Sequence, residues 1–154
     1  MIPLPHLAAS LPLAAWAAAV AVLDIRQRRI PNLLLVLLLV PAVLAVAING
    51  RGLLGVDAMA SATGLLVGGL PLLPGYAQGQ MGAGDVKFSA CLGWLLGPGA
   101  TLEMLLWSAV MLGLVSGAML AYAGSAVRQR RIPAAPMLAG AFGVQLACGR
   151  LLSF

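Results

Sequence analysis

The chain has 154 residues, of which 62% are hydrophobic and only 8% charged, with a mean hydropathy of +1.03 and a net charge of +5. A soluble domain of average make-up carries roughly 25% charged residues, so the composition excludes an ordinary soluble domain and requires a bilayer as partner. The basic excess sits in short clusters between apolar runs, where it marks membrane topology rather than nucleic-acid binding.

A spanning helix needs about 20 mostly apolar residues, with a range of roughly 17–25. Runs of that kind predict an all-α polytopic membrane protein, a bundle of about six transmembrane helices, at roughly 5–23, 32–48, 56–73, 86–97, 102–123 and 135–150. No stretch reads as a separate soluble unit, so residues 1–154 form one integral membrane domain in this reading. The N-terminus lacks the basic start of a signal peptide and stays apolar too long for one. Pro12 predicts a kink or a frayed beginning in the first run. The fourth run is short: from Asp85 to Pro98 a helix rises only about 20 Å. It either crosses a thinned bilayer or has its ends buried in protein.

Lys and Arg placement sets the orientation. Arg26, Arg28, Arg29, Lys87, Arg128, Arg130 and Arg131 follow the first, third and fifth runs, against Arg51 and Arg150 on the other side. The larger group belongs in the cytoplasm, which puts Asp24 and Asp85 on the cytoplasmic face and Asp57 and Glu103 on the far one. The hexapeptide RQRRIP occurs twice, at Arg26–Pro31 and Arg128–Pro133. Each copy reads as a cytoplasmic anchor with proline near a helix start. It does not mark a duplicated half, because Ala126 stands where Asp24 would recur. Within the apolar runs, three G-x-x-x-G patterns, Gly64–Gly68, Gly93–Gly97 and Gly113–Gly117, allow helices to approach closely, either within the bundle or in a dimer.

Cys91 and Cys148 belong to different runs and opposite faces, so no disulfide is expected. There is no C-x-x-C, and His6 is the only histidine. His-based metal cages and Ser-His-Asp or Cys-His triads are thereby excluded, and no metal or organic cofactor is expected.

The four acidic residues carry the remaining information. A carboxylate near a membrane is costly and usually has a task. Asp24 closes the first run in VLDIRQRRIPN and, taken alone, reads as a solvated interface residue paired with Arg28. Asp85 follows three small residues in MGAGDVK. Gly82 and Gly84, with the backbone freedom of glycine and room for another chain to approach, suit a loop that presents a carboxylate beside an extended substrate; the plainer reading is a tight turn with Asp85 as helix N-cap. Lys87 either tunes Asp85 and meets substrate or snorkels to headgroups. Asn32 either bonds Asp24 or simply opens the second run.

The stretches D-x-R-x-R-R-I-P-N (Asp24–Asn32), M-G-A-G-D-V-K (Met81–Lys87) and I-P-A-A-P (Ile132–Pro136) occur in this order on one small polytopic chain. Together they resemble the type IV prepilin peptidases, membrane aspartic proteases with a G-x-G-D motif, and the resemblance spans essentially the whole chain. It implies that Asp24 and Asp85 are the catalytic pair. Ala134 replaces the aromatic residue usual in the family's I-P-[FY]-x-P stretch. Long forms of the family carry a cytoplasmic C-x-x-C domain associated with N-methylation. Here only a short loop joins the first two spans, so the chain is similar to the short peptidases of Flp (tight-adherence) pilus systems, with no methyltransferase domain.

The implied substrate is a prepilin or pseudopilin with a basic leader, a glycine before the scissile bond and an apolar segment after it. The implied location is the bacterial inner membrane, with the active site facing the cytoplasm. Two other classes stand beside this reading: a small transporter or proton conductor using Asp24 and Asp85, and a structural assembly subunit. A transporter would more naturally carry its carboxylates near mid-bilayer on broken helices. The oligomeric state is not encoded in any motif.

Overall fold

The computed structural model describes residues 4–27, 30–123 and 134–148. Arg28, Arg29, Arg128, Arg130, Arg131, Arg150, Ile132 and Pro133 lie outside them, and with them most of the basic clusters and the second RQRRIP copy.

The described residues are helical: α1 (Leu4–Gln27), α2 (Asn32–Asn49), α3 (Ala58–Gly69), α4 (Leu73–Ala77), α5 (Ala83–Leu96), α6 (Pro98–Ala123) and α7 (Ala135–Cys148). A 3-10 turn at Leu70–Leu72 joins α3 to α4. Pro71 and Pro74 have no N–H to give the α-helical ladder, and the Leu73 N–H closes on Leu70 instead. The six expected helices are therefore present, with shifted ends. The third runs on to Ala77, and the fifth begins at Pro98 rather than near 102. Proline suits a first helical position because its missing N–H would be unsatisfied there anyway. Pro12 lies inside a continuous α1.

The ends have local causes. Gly50 closes α2 in the left-handed region (φ 68°), its N–H reaching Val46 O. Asp57 caps α3, its carboxylate accepting the Ala60 N–H at 2.6 Å. A single residue, Gly97 (φ 76°), separates α5 from α6.

Three helical runs, Asn32–Asn49, Ala58–Ala77 and Pro98–Met119, are long and apolar enough to cross a membrane. Only 17% of each is buried in the protein. Leu33, Leu37, Leu44, Leu106 and Leu114 are among the large side chains left exposed, so the outward faces of these helices are apolar, as in a polytopic membrane bundle.

The short α5 is the central helix, touching α2, α3, α6 and α7. Phe88 and Leu92 are fully buried in a core with Val20, Met104 and Phe142. Trp16 packs on Phe88, ring centroids 5.5 Å apart, and donates its indole N–H to Leu34 O at 2.9 Å. The middle and C-terminal half of α5 are mostly buried, whereas Ala83 and Lys87 leave its N-terminal end exposed. Cys91 is a free thiol within this core.

The closest approach is α3 on α5. A Cβ on Gly64 would overlap Gly93 O, and a Cβ on Gly93 would overlap Gly64 O; one on Gly68 would lie 2.5 Å from Ser89 O. Two of the three G-x-x-x-G patterns are thus internal packing. Gly113 and Gly117 would meet nothing within 4 Å.

Candidate active site

Asp24 sits in the last turn of α1 and is 6% exposed. Asp85 occupies the third position of α5 and is half-buried. The antiparallel course of the bundle brings these two helix ends together. They share a cleft of about 330 Å³, also lined by Ile30, Asn32, Gly82, Ala83, Gly84 and Lys87.

Asp85 is not the N-cap of its helix. Gly82 is, and the Asp85 carboxylate reaches back to accept the Gly82 N–H at 3.3 Å. The expected catalytic loop is mostly helix: Gly84 and Lys87 lie in the first turns of α5, and only Gly82 precedes it. Nor do these glycines serve backbone freedom. Gly82 has φ −78°, and neither is among the positive-φ glycines. Their role is steric. A Cβ on Gly84 would stand 3.0 Å from Ile30 Cβ, and one on Gly82 would stand 3.2 Å from Asp85 Oδ2.

The N-terminus of α7 lies beside the two carboxylates. The backbone N–H of Ala135 faces both carboxylates and favours their ionised forms. Burial acts more strongly in the other direction. It raises the Asp24 pKa above the usual value, and it raises Asp85 to about 6 with a further contribution from the Asp24 charge. Asp24 Oδ2 and Asp85 Oδ1 are buried and accept no hydrogen bond among the described residues. Two coupled carboxyls, both harder to ionise than usual, can hold one proton between them and divide acid from base work.

Lys87 spans the cleft mouth, its ammonium donating to Asn32 Oδ1 at 3.2 Å. Asn32 therefore both opens α2 and anchors Lys87. Asp57 and Glu103 belong to the other end of the bundle. Asp57 caps α3 where Gly97, at the far end of α5, packs on Val56 and Ala60. Glu103 lies buried in the early turns of α6.

The model of the type IV leader peptidase family matches residues 11–118. The chain belongs to this family. No curated protein and no solved structure matches it. The leader-peptidase match contains Asp24, the Gly82–Lys87 stretch and Asn32, but ends before α7. The Ala135 N–H, which this leader peptidase family member aims at both carboxylates, thus lies outside the matched segment. A backbone group leaves no signature in sequence; its one signal was the proline-rich stretch before α7.

Proposed function

We propose that this chain is a membrane aspartic endopeptidase that removes the basic leader from prepilins or pseudopilins. Asp24 and Asp85 are its catalytic residues, and only a short loop stands between α1 and α2, where long forms carry the domain associated with N-methylation. It works as a single domain in the bacterial inner membrane with the cleft towards the cytoplasm. The observation that carries this reading is the cleft shared by the ends of α1 and α5, where two carboxylates with raised pKa values lie beside the N-terminus of α7.

The chemistry follows from the pair. With one proton between them, the ionised carboxylate takes a proton from water as its oxygen attacks the scissile carbonyl. The protonated partner gives its proton to the carbonyl oxygen, forming a tetrahedral diol. Collapse of the diol breaks the C–N bond, the amine leaves with a proton, and the pair again holds one. The α7 N-terminus keeps a carboxylate ionised despite burial, because helix N-termini favour negative charge. Gly82 leaves the Asp85 carboxylate its place, Gly84 lets Ile30 pack against the start of α5, and the Lys87–Asn32 link fixes the rim.

An ion-carrier reading fits less well, since the carboxylates sit at helix ends in an open cleft rather than on broken helices at mid-span. The test is co-expression with a Flp-type prepilin, reading leader removal by mass. An intact leader beside well-folded enzyme would contradict the proposal.

A further inference from the structure

A second cavity adjoins the cleft. It is an open-sided groove of about 350 Å³ between α6, the start of α7 and the Pro71 turn. Leu102, Leu105, Leu106, Ala109 and Leu112 line it from α6. Their spacing puts them on one helical face, over about 15 Å at 1.5 Å per residue. The lining holds one polar side chain, Ser108, and its hydroxyl is already spent on Leu105 O at 2.9 Å. The groove thus offers an apolar surface and no free side-chain hydrogen-bond donor.

Its position gives it a partner. Met81 and Ala134 line the groove. Met81 immediately precedes Gly82 of the cleft, and Ala134 immediately precedes Ala135, whose N–H faces both carboxylates. Groove and cleft are therefore neighbours: Met81 lines one and Gly82 the other. The α6 face lies within a run apolar enough to span the bilayer. A polypeptide that reaches from the cleft into this groove must be apolar there and must satisfy its own backbone hydrogen bonds, which means a helix.

We propose that the groove holds the apolar helical segment of the substrate polypeptide beyond the scissile bond, and that Ala134 sets the size of residue admitted beside the aspartates. This rests on the peptidase reading above. Ala134 lines the groove one residue before Ala135, whose N–H faces the carboxylates, so a larger side chain there would narrow the groove at its aspartate end.

The test separates binding from cleavage. A photo-crosslinking phenylalanine replaces Leu105 in an Asp85→Asn background, and in a control it replaces lipid-facing Leu33, which is 77% exposed. The probe is a synthetic substrate with a basic leader, a glycine and an apolar segment of about 20 residues. Crosslinks from position 105 to the apolar segment, at least tenfold above those from position 33, are expected. Cleavage by the wild type without such crosslinks overturns the groove while leaving the peptidase standing. Crosslinks without wild-type cleavage support the groove and sink the peptidase reading, and neither signal overturns both.

In the cleaving enzyme, Ala134→Phe should lower the cleavage of a substrate with a large residue after the scissile bond at least tenfold more than of one with alanine. Ala134→Val should do so to a smaller extent. Melting temperature confirms that each variant is folded. An unchanged ratio in both folded variants overturns the role given to Ala134.

Discussion

The Lys87 ammonium donates to Asn32 Oδ1 across the mouth of the aspartate cleft, joining the second turn of α5 to the first residue of α2. The contact is exposed, so its worth lies in geometry more than stability. An exposed polar contact contributes about 1 kcal/mol or less, whereas a shift of a cleft wall can cost far more in rate.

Lys87→Met and Asn32→Ala should therefore each raise KM for leader cleavage several-fold and leave the melting temperature nearly unchanged. In a double-mutant cycle the second substitution should add little to the first, because they act on one contact. Fully additive effects on kcat/KM would show that the two residues act separately.

Gly84→Ala sets two effects against each other. Alanine is the better helix former by about 1 kcal/mol, and Gly84 lies inside α5. Its Cβ, however, would press on Ile30 Cβ, a branched atom next to the backbone that has little room to yield. Cleavage should fall at least tenfold while thermal stability in detergent is retained. Gly82→Ala should be milder, since only the Asp85 carboxylate needs to shift. Full activity in Gly84→Ala would show that the Ile30 contact has no bearing on the cleft.

Much of this arrangement was legible in the sequence. Asp24 and Asp85 stood out because a chain so poor in charge rarely spends a carboxylate at the edge of an apolar run. The helices were legible because each is a long apolar stretch. The start of α6 was not, because Gly97-Pro98-Gly99 reads as a loop, whereas one left-handed residue suffices to turn the chain and proline serves as the first helical position. Gly82 and Gly84 were read for backbone freedom, but their positions require only the absence of a Cβ, a property of neighbours that are distant in sequence. The pairing of Gly64 with Gly93 was hidden for the same reason: the motif says that a helix can approach, not which one.

The Asp85 pKa of about 6 against an ordinary 3.8 gives a pH dependence with a definite sign. Because the folded value is raised, its contribution to stability is fully present below about 3.8 and is lost as pH rises through about 6. The solubilised protein should thus lose thermal stability between pH 4 and pH 7, and Asp85→Asn should flatten that slope. In Asp24→Asn the Asp85 value should fall, because the Asp24 charge helps to raise it, yet stay above 3.8, because burial is the larger cause. Infrared titration of the carboxyl stretch measures this directly. An unmoved Asp85 value would mean that the two carboxylates are not coupled.

The central claim, that Asp24 and Asp85 act as one catalytic pair, is tested most directly by leader cleavage in membranes carrying Asp24→Asn or Asp85→Asn at matched protein levels. Asp57→Asn serves as control, since asparagine also caps a helix and Asp57 lies at the other end of the bundle. Each of the two single variants should lose cleavage by at least a thousandfold, and the control should cleave normally. Near-normal cleavage by either Asp24→Asn or Asp85→Asn would contradict the account.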